Sequence, residues 1–250
     1  MGAGIGPLHS IRAALAAAIW PERCSLCAAR DAGDGLGCAA HRFVTGCAGP
    51  RCGRCARALA GMLAPGERCP ACRARAPGFA CVAAVGDYRA GANATWLLAL
   101  KYGGRRDLAQ SLGALLAARL ALEPEPRDGA PRVLVPVPLH LARRLERGYD
   151  QAHRLAAACG FASGVPVVRP LRRARATGVQ GALWSTSRAA NVRGAFRPAF
   201  GARLVARRVR GAECWLVDDV LTSGATAAEC ARVLRRLGAA RVGVLCVARA

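Results

Sequence analysis

From Val82 to the end of the chain, short continuous apolar runs alternate with longer stretches whose apolar positions recur at helical spacing. Cys81 to Val85 and Val133 to Val137 are short and almost wholly apolar, a pattern that predicts buried strands. Ala92 to Leu100 and Leu108 to Leu122 carry apolar residues three and four apart and predict helices, the second stopped by the loop Glu123-Pro-Glu-Pro. The same reading gives a helix over Leu141 to Ala158, a strand over Val165 to Val168 and a return to the sheet from Leu204. Strands alternating with helices predict an α/β domain.

Before Val82 the pattern is different. Nine of the 13 cysteines lie between Cys24 and Cys81, in a stretch with few large apolar side chains. Cys24-x-x-Cys27, Cys52-x-x-Cys55 and Cys69-x-x-Cys72 each have the spacing that lets two thiolates from one tight turn grip a tetrahedral metal, and Cys38-x-x-His41 repeats it with an imidazole. Eight ligands divide into one site of three cysteines with a histidine and one of four cysteines, so two structural zinc ions are expected. Sequential pairing places Cys24, Cys27, Cys38 and His41 on one ion and Cys52, Cys55, Cys69 and Cys72 on the other. Interleaved pairing satisfies the same spacing, and Cys47 is the replacement ligand if His41 is not one. With all four positions closed by protein, these sites serve stability rather than catalysis. A disulfide framework would need an export signal and gains nothing from the two-residue spacing. The segment Ile11 to Trp20 is read as an amphipathic helix leading into the first zinc knuckle. The expected division is 1–81 for this helix and a double zinc ribbon, and 82–250 for the α/β domain.

Composition narrows the class. With 53% hydrophobic and 21% charged residues the 250-residue chain is not disordered. No apolar run approaches the roughly 20 residues a membrane helix needs, so no span is expected and the location is read as cytoplasmic. The formal charge is +22, from 37 basic against 15 acidic residues, a field that attracts any polyanion. Residues 1–85 carry 10 Arg and 4 acids, and the rest 27 basic and 11 acidic residues; no basic tail or stripe forms. All but one of the basic residues are arginine. The single lysine, Lys101, marks a place where a compact ammonium is wanted.

The most informative stretch is Cys214-Trp-Leu-Val-Asp-Asp-Val-Leu-Thr-Ser-Gly-Ala-Thr226. An apolar strand meets two adjacent carboxylates, then a small hydroxyl-rich turn, then a helix pattern over Ala227 to Leu237 stopped by Gly238. Thr222, Ser223, Gly224, Ala225 and Thr226 thus sit at a helix N-terminus, where free backbone N–H groups and the helix dipole attract an anion. Asp218 and Asp219 would repel bare phosphate, so the ligand must offer hydroxyls or a cation as well. A sugar phosphate satisfies both halves.

These residues resemble the signature of the phosphoribosyltransferase fold, and more narrowly the ComF competence-protein family, which joins a double zinc ribbon to a phosphoribosyltransferase-like domain. The resemblance covers nearly the whole chain. It also rests on Leu100-Lys-Tyr102, Val135-Pro-Val-Pro-Leu139, Arg147-Gly-Tyr-Asp-Gln151, Thr177 with Gln180, Arg188-x-x-Asn191-Val-x-Gly-Ala-Phe196 and Ala248-Arg249. It implies a type I phosphoribosyltransferase-like parallel sheet with helices on both faces. It further implies binding of phosphoribosyl pyrophosphate with magnesium, and a link to DNA uptake. Asp218, Asp219, Lys101 and Arg147 would carry catalysis. Pro136, Val137, Arg147, Gln151, Asp218, Asp219 and the turn Thr222 to Thr226 would hold the ligand, while Arg175, Thr177, Gln180, Arg188 and Asn191 would lie on a flexible loop over the leaving pyrophosphate. Two departures stand out: Asp150 where the family usually has Asn, which weakens a pyrophosphate contact, and His41 in place of a fourth cysteine.

Phosphoribosyl transfer passes through a cationic ribose and asks for charge stabilisation rather than a protein nucleophile. The acceptor has no signature in the chain. A second class of function is a non-enzymatic accessory of DNA uptake that binds single-stranded DNA and senses a nucleotide metabolite. Five Phe, four Trp and three Tyr limit the base stacking on which such binding relies. Asn93-Ala-Thr95 matches a glycosylation sequon inside a predicted helix, which discounts it.

Overall fold

The structure is a computed structural model that describes residues 23–29, 36–59, 66–74, 76–139, 148–175 and 192–250, without the side chains of 202–204. The amphipathic segment 11–20 and the loop residues Thr177, Gln180, Arg188 and Asn191 lie outside the described residues, as does Arg147. In chain order the regular elements are α1 (Pro70–Ala74), β1 (Val82–Asp87), α2 (Asn93–Tyr102), α3 (Leu108–Ala121), β2 (Arg132–Pro136), α4 (Gln151–Ser163), β3 (Leu171–Arg173), β4 (Phe196–Pro198), α5 (Ala202–Val209), β5 (Glu213–Leu221), α6 (Ala225–Arg236) and β6 (Arg241–Arg249).

Four strands form a parallel sheet in the order β1-β6-β5-β2, and β3 and β4 pair as a separate antiparallel hairpin. The central runs of the strands, Val133–Val135, Cys214–Val217 and Val242–Ala248, are apolar because both faces of the sheet are covered. Period-two alternation deals their side chains to two cores. Leu134, Trp215, Val217, Leu245 and Val247 face α2, α3 and α4, while Val133, Val135, Cys214, Leu216, Val242 and Val244 face α5, α6 and the hairpin. Cys159, Cys214, Cys230 and Cys246 are wholly buried among these apolar groups, as small hydrophobes.

Two boundaries differ from expectation. The helix read over Leu141 to Ala158 is not one continuous helix: Gly148 takes a left-handed φ of 71° and Asp150 is an extended N-cap whose carboxylate accepts from His153 N at 3.1 Å, so α4 starts at Gln151, while 141–147 lie outside the described residues. Val165 to Val168 is no full strand: Pro166, which has no N–H to give, leaves a short parallel bridge of Val167 to Leu134 at the sheet edge.

The cysteine-rich region docks on β1 and on α2. Gly46 N donates to Val85 O of β1 at 2.7 Å. The buried Asn93 side chain accepts from Val44 N and donates to the carbonyls of Val44 and Asp87. That burial and full set of bonds make Asn93 a structural clamp, in keeping with its rejection as a glycosylation site. Trp96 Nε1 donates to His41 O at 2.7 Å, and its ring meets Phe43 edge-on at 5.9 Å. Farther along, Arg51 pairs with Asp87 at 2.6 Å. Among the described residues no helix is long and apolar enough to cross a membrane.

Candidate functional site

Two ligand clusters assemble where the spacing placed them. Cys24, Cys27, Cys38 and His41 bring their ligand atoms within 4.8 Å of one another, and so do Cys52, Cys55, Cys69 and Cys72. Pairing is therefore sequential. A tetrahedral zinc with bonds of about 2.3 Å to sulfur and about 2.05 Å to nitrogen sets edges of about 3.8 Å between sulfurs and about 3.6 Å between sulfur and nitrogen. The structure has Cys55 Sγ to Cys69 Sγ at 3.8 Å, Cys27 Sγ to Cys38 Sγ at 3.6 Å and Cys38 Sγ to His41 Nδ1 at 3.6 Å. Backbone N–H groups point at the sulfurs, Leu26 N to Cys24 at 3.4 Å and Cys69 N to Cys52 at 3.2 Å. Burial raises the Cys24 and Cys52 thiols, but such backbone bonds outweigh it and bring both down to about 6. In the second cluster burial, and then the neighbouring Cys55 and Cys69 thiols, push Cys72 well up. Soft donors that can all ionise only against a divalent cation fit zinc. Cys47 belongs to neither cluster; it sits near Arg51 and Asp87, its thiol raised by burial.

The second cluster of chemistry lies where the parallel strands end. The acid pair falls inside β5, which runs on to Leu221, rather than at its tip. Alternation turns Asp219 toward the face of Trp215 and Val217, and α2 on that face delivers Lys101, whose Nζ is 3.2 Å from Asp219 Oδ1. Asp219 Oδ1 also accepts from Val220 N at 2.6 Å, and Asp218 Oδ1 from Asp219 N at 2.9 Å. Burial, then the charge of Asp219, raises Asp218 to about 8, against the opposing pull of Lys101; Asp150 adds to the rise. Pro136 pairs with Val217, and Val137 N donates to Val217 O at 3.0 Å, so β2 ends beside the acid pair. At the start of α4, Gln151 is buried and its Nε2 has no hydrogen-bond partner among the described residues.

Beyond Leu221 the chain turns through Thr222 and Ser223 to Gly224, the N-cap of α6, held at φ 78° with no side-chain cap. Among the described residues, a 3.4 Å contact from Ala225 N to Ser223 Oγ is the one side-chain bond to the first N–H groups. Phe79 lies beneath: a Cβ on Gly224 would stand 3.4 Å from its ring. On α6, Glu229 accepts from Gly194 N at 2.8 Å and pairs with Arg232, which anchors the chain just before β4. Arg175 bonds Arg193 O at 3.0 Å at the neck of the same loop.

The structure thus brings together Lys101, Pro136, Val137, Asp218, Asp219 and the turn Thr222 to Thr226, while Asp150 caps a helix. Arg249, in the motif Ala248-Arg249, is 4% exposed. Its Nε donates to Cys55 O at 3.0 Å and its Nη1 to Leu221 O at 2.8 Å. A lone charge closing the apolar run Val242 to Ala248 was the signal for a buried, partnered arginine.

The chain matches no protein-family profile. It is 30% identical over 192 residues to the DNA utilization protein YhgH of Salmonella typhi, covering 74% of this chain and 79% of that protein. The YhgH protein of Escherichia coli K12 is 32% identical over 189 residues, covering 72% and 77%. The competence protein F of Haemophilus influenzae is 34% identical over 122 residues, covering 48% of this chain and 51% of its own length. The chain belongs to the ComF family. Two solved structures are also similar, each matched over 26% of its own length. One is the allosteric regulatory enzyme of purine biosynthesis, at 24% identity over 57% of this chain with a TM-score of 0.37. The other is the glutamine phosphoribosylpyrophosphate amidotransferase of B. subtilis, at 25% identity over 56% of this chain with a TM-score of 0.36. In this ComF protein the α/β region is a four-stranded parallel sheet covered on both faces, preceded by two cysteine clusters suited to zinc.

Proposed function

We propose that the chain binds phosphoribosyl pyrophosphate with magnesium at the ends of β5 and β2 and transfers the phosphoribosyl group to an acceptor. The supporting observation is the acid pair Asp218 and Asp219, the second of them paired with Lys101, in the strand that leads to a helix N-terminus without a side-chain cap. The 5′-phosphate would accept from the N–H groups of the turn 222–226, and the ribose hydroxyls would bond to the carboxylates. Hard carboxylate oxygens also suit magnesium, whose charge would offset that of the pyrophosphate. As the bond from the anomeric carbon to pyrophosphate breaks, positive charge grows on the ribose and negative charge on the leaving group. Asp219 faces the first, and Lys101 answers its charge. Gln151 and Arg147 are proposed for the pyrophosphate side, with Arg175, Thr177, Gln180, Arg188 and Asn191 on the covering loop. We extend the proposal to a division of labour between residues 1–81, held by zinc, and 82–250.

Calorimetric titration of phosphoribosyl pyrophosphate with magnesium into the wild type and into the Asp218→Asn, Asp219→Asn double variant tests the proposal. Binding by the wild type alone supports it; absence of binding in a zinc-loaded, folded sample refutes it.

One observation favours a second reading. Arg172 lies over the ring of Phe200 at 4.3 Å, and Phe200 is 87% exposed. An arginine-backed aromatic on the surface is a stacking platform for an unpaired base. The relatives named for DNA utilization and competence point the same way. Under this reading the protein is an accessory that holds single-stranded DNA, with affinity falling steeply as salt rises. Phe200→Ala then weakens oligonucleotide binding and leaves sugar-phosphate binding untouched.

A further inference from the structure

The formal charge is spread between the two parts of the chain, but within the second part it is not even. Residues 151–212 carry 12 arginines and no Asp or Glu, while all 15 acids fall in the remaining 188 residues, a density that would put about five in a run of this length. Arginine is common throughout the chain; the loss of acids is local. The β3–β4 hairpin gathers the middle of this run. Leu171 and Phe196 turn into the core, so Arg172 and Arg197, which pair in register across the hairpin, stand together on its outer face. Like charges directly opposite each other are destabilising, and neither arginine makes an ion pair among the described residues. Arg172 is nevertheless fixed: its Nε donates to Pro198 O at 3.2 Å, and its guanidinium lies over the exposed ring of Phe200. On α5, which meets the same core through Val205 and Val209, Arg207 and Arg208 are exposed and likewise make no ion pair among the described residues. Paired guanidiniums beside an open aromatic ring match the alternating phosphates and bases of a single strand.

This surface leads toward the acid pair and its turn. Beyond the paired residues Ala174 N donates to Ala195 O at 2.8 Å, and Gly194 N donates to Glu229 of α6. Glu229 lies five residues past Gly224, about 7.5 Å along the helix from the turn. Arg197 lies three residues past Gly194, about 10 Å of extended chain. We propose that the acceptor of the phosphoribosyl group is a base of a single-stranded polynucleotide, held by its backbone on Arg172 and Arg197. The inference rests on the phosphoribosyl pyrophosphate reading and names the substrate class that reading leaves open. In a strand the glycosidic nitrogen of each base is already bonded to its sugar, so the exocyclic amine of adenine, guanine or cytosine is the nucleophile with a proton to give. The amine nitrogen forms a bond to the anomeric carbon, the bond from that carbon to pyrophosphate breaks with both electrons leaving on pyrophosphate, and one amine proton passes to water.

The test uses full-length zinc-loaded protein, phosphoribosyl pyrophosphate with magnesium, and strands of about 20 nucleotides of deoxyadenylate, riboadenylate and deoxythymidylate, thymine having no exocyclic amine. Wild type, the Arg172→Ser, Arg197→Ser double variant and Asp219→Asn are compared by fluorescence anisotropy for strand binding, by calorimetry for phosphoribosyl pyrophosphate, and by mass spectrometry of the recovered strand. Wild type should bind all three strands and add the mass of a phosphoribosyl group to an adenylate strand, the deoxy and ribo forms separating DNA from RNA as the acceptor, and none to thymidylate. The double variant should bind phosphoribosyl pyrophosphate as the wild type does. Its strand affinity should fall, with a log–log salt slope smaller by about 1.4, the share of two phosphates on a single strand. Asp219→Asn should bind the strands and modify none. Unmodified adenylate in a wild type that binds both strand and phosphoribosyl pyrophosphate would overturn the inference and leave the earlier reading standing. Thymidylate modified as readily as adenylate, or strand affinity unchanged in the double variant, would likewise overturn it. A wild type that binds no phosphoribosyl pyrophosphate would overturn both.

Discussion

Lys101 and Asp219 form an ion pair at 3.2 Å, with side chains 20% and 12% exposed. In a chain that otherwise uses arginine, this one ammonium sits on α2 where a planar guanidinium would need more room and a different approach. The lysine also bears on Asp218, whose proton affinity it holds down.

Replacing Lys101 by Met should therefore move the Asp218 titration above its value of about 8 and cost about 1–3 kcal/mol of stability, between the values for exposed and buried pairs. Carboxyl-carbon NMR titration and urea unfolding measure the two effects. Lys101→Arg should recover the charge but not the full stability.

Asp218 also gives the protein a pH dependence of definite sign. Its folded-state value of about 8 lies above the ordinary 3.8, so between those values the folded protein binds more protons than the unfolded chain. Stability from this group is fully present below about pH 4, falls as pH rises through about 8, and is flat above. Thermal unfolding from pH 5 to 9 should show the decline in the wild type and lose it in Asp218→Asn. A ligand bearing a cation should expel the proton, seen as calorimetric heats that change with the buffer's ionisation enthalpy at pH 7.

Metal content follows from the two clusters. The wild type should carry about two zinc ions per chain by elemental analysis. Cys24→Ser and Cys52→Ser should each lose one, from different sites, while Cys47→Ser should keep both. A Cys47→Ser protein with one zinc would contradict the ligand set of the first cluster.

The close approach of α3 to α4 is also open to test. A Cβ placed on Gly113 of α3 would stand 2.3 Å from Ala158 Cβ of α4, and neither atom ends a flexible side chain. Gly113→Ala should cost about 1–3 kcal/mol as the helices part, measured by chemical denaturation.

Much of this was legible because its signals are local. Thiol pairs with two residues between them announce knuckles, and uninterrupted apolar runs such as Val242 to Ala248 announce strands covered on both faces. Asp150 was harder: read as a departure that weakens a pyrophosphate contact, it turns its carboxylate to the N–H of His153, and no Glu or Gln three residues on marked it as a cap. The apolar spacing before Gly148 likewise ran past the break that glycine makes. Contacts between Cys55 and Arg249, or Lys101 and Asp219, join distant parts of the chain, and no local pattern encodes them.

The strand order has a consequence for how the molecule comes into being. β6 lies between β1 and β5, so β1 has no strand neighbour until Arg241 to Arg249 has been made. Each metal cluster, by contrast, draws its ligands from one short stretch, Cys24 to His41 and Cys52 to Cys72. During synthesis the knuckles can close on their ions while the sheet is still incomplete, since short loops close early and distant pairings late. The last sheet strand to be made then inserts beside a ribbon already shaped by its ligands, and Arg249 locks the two together.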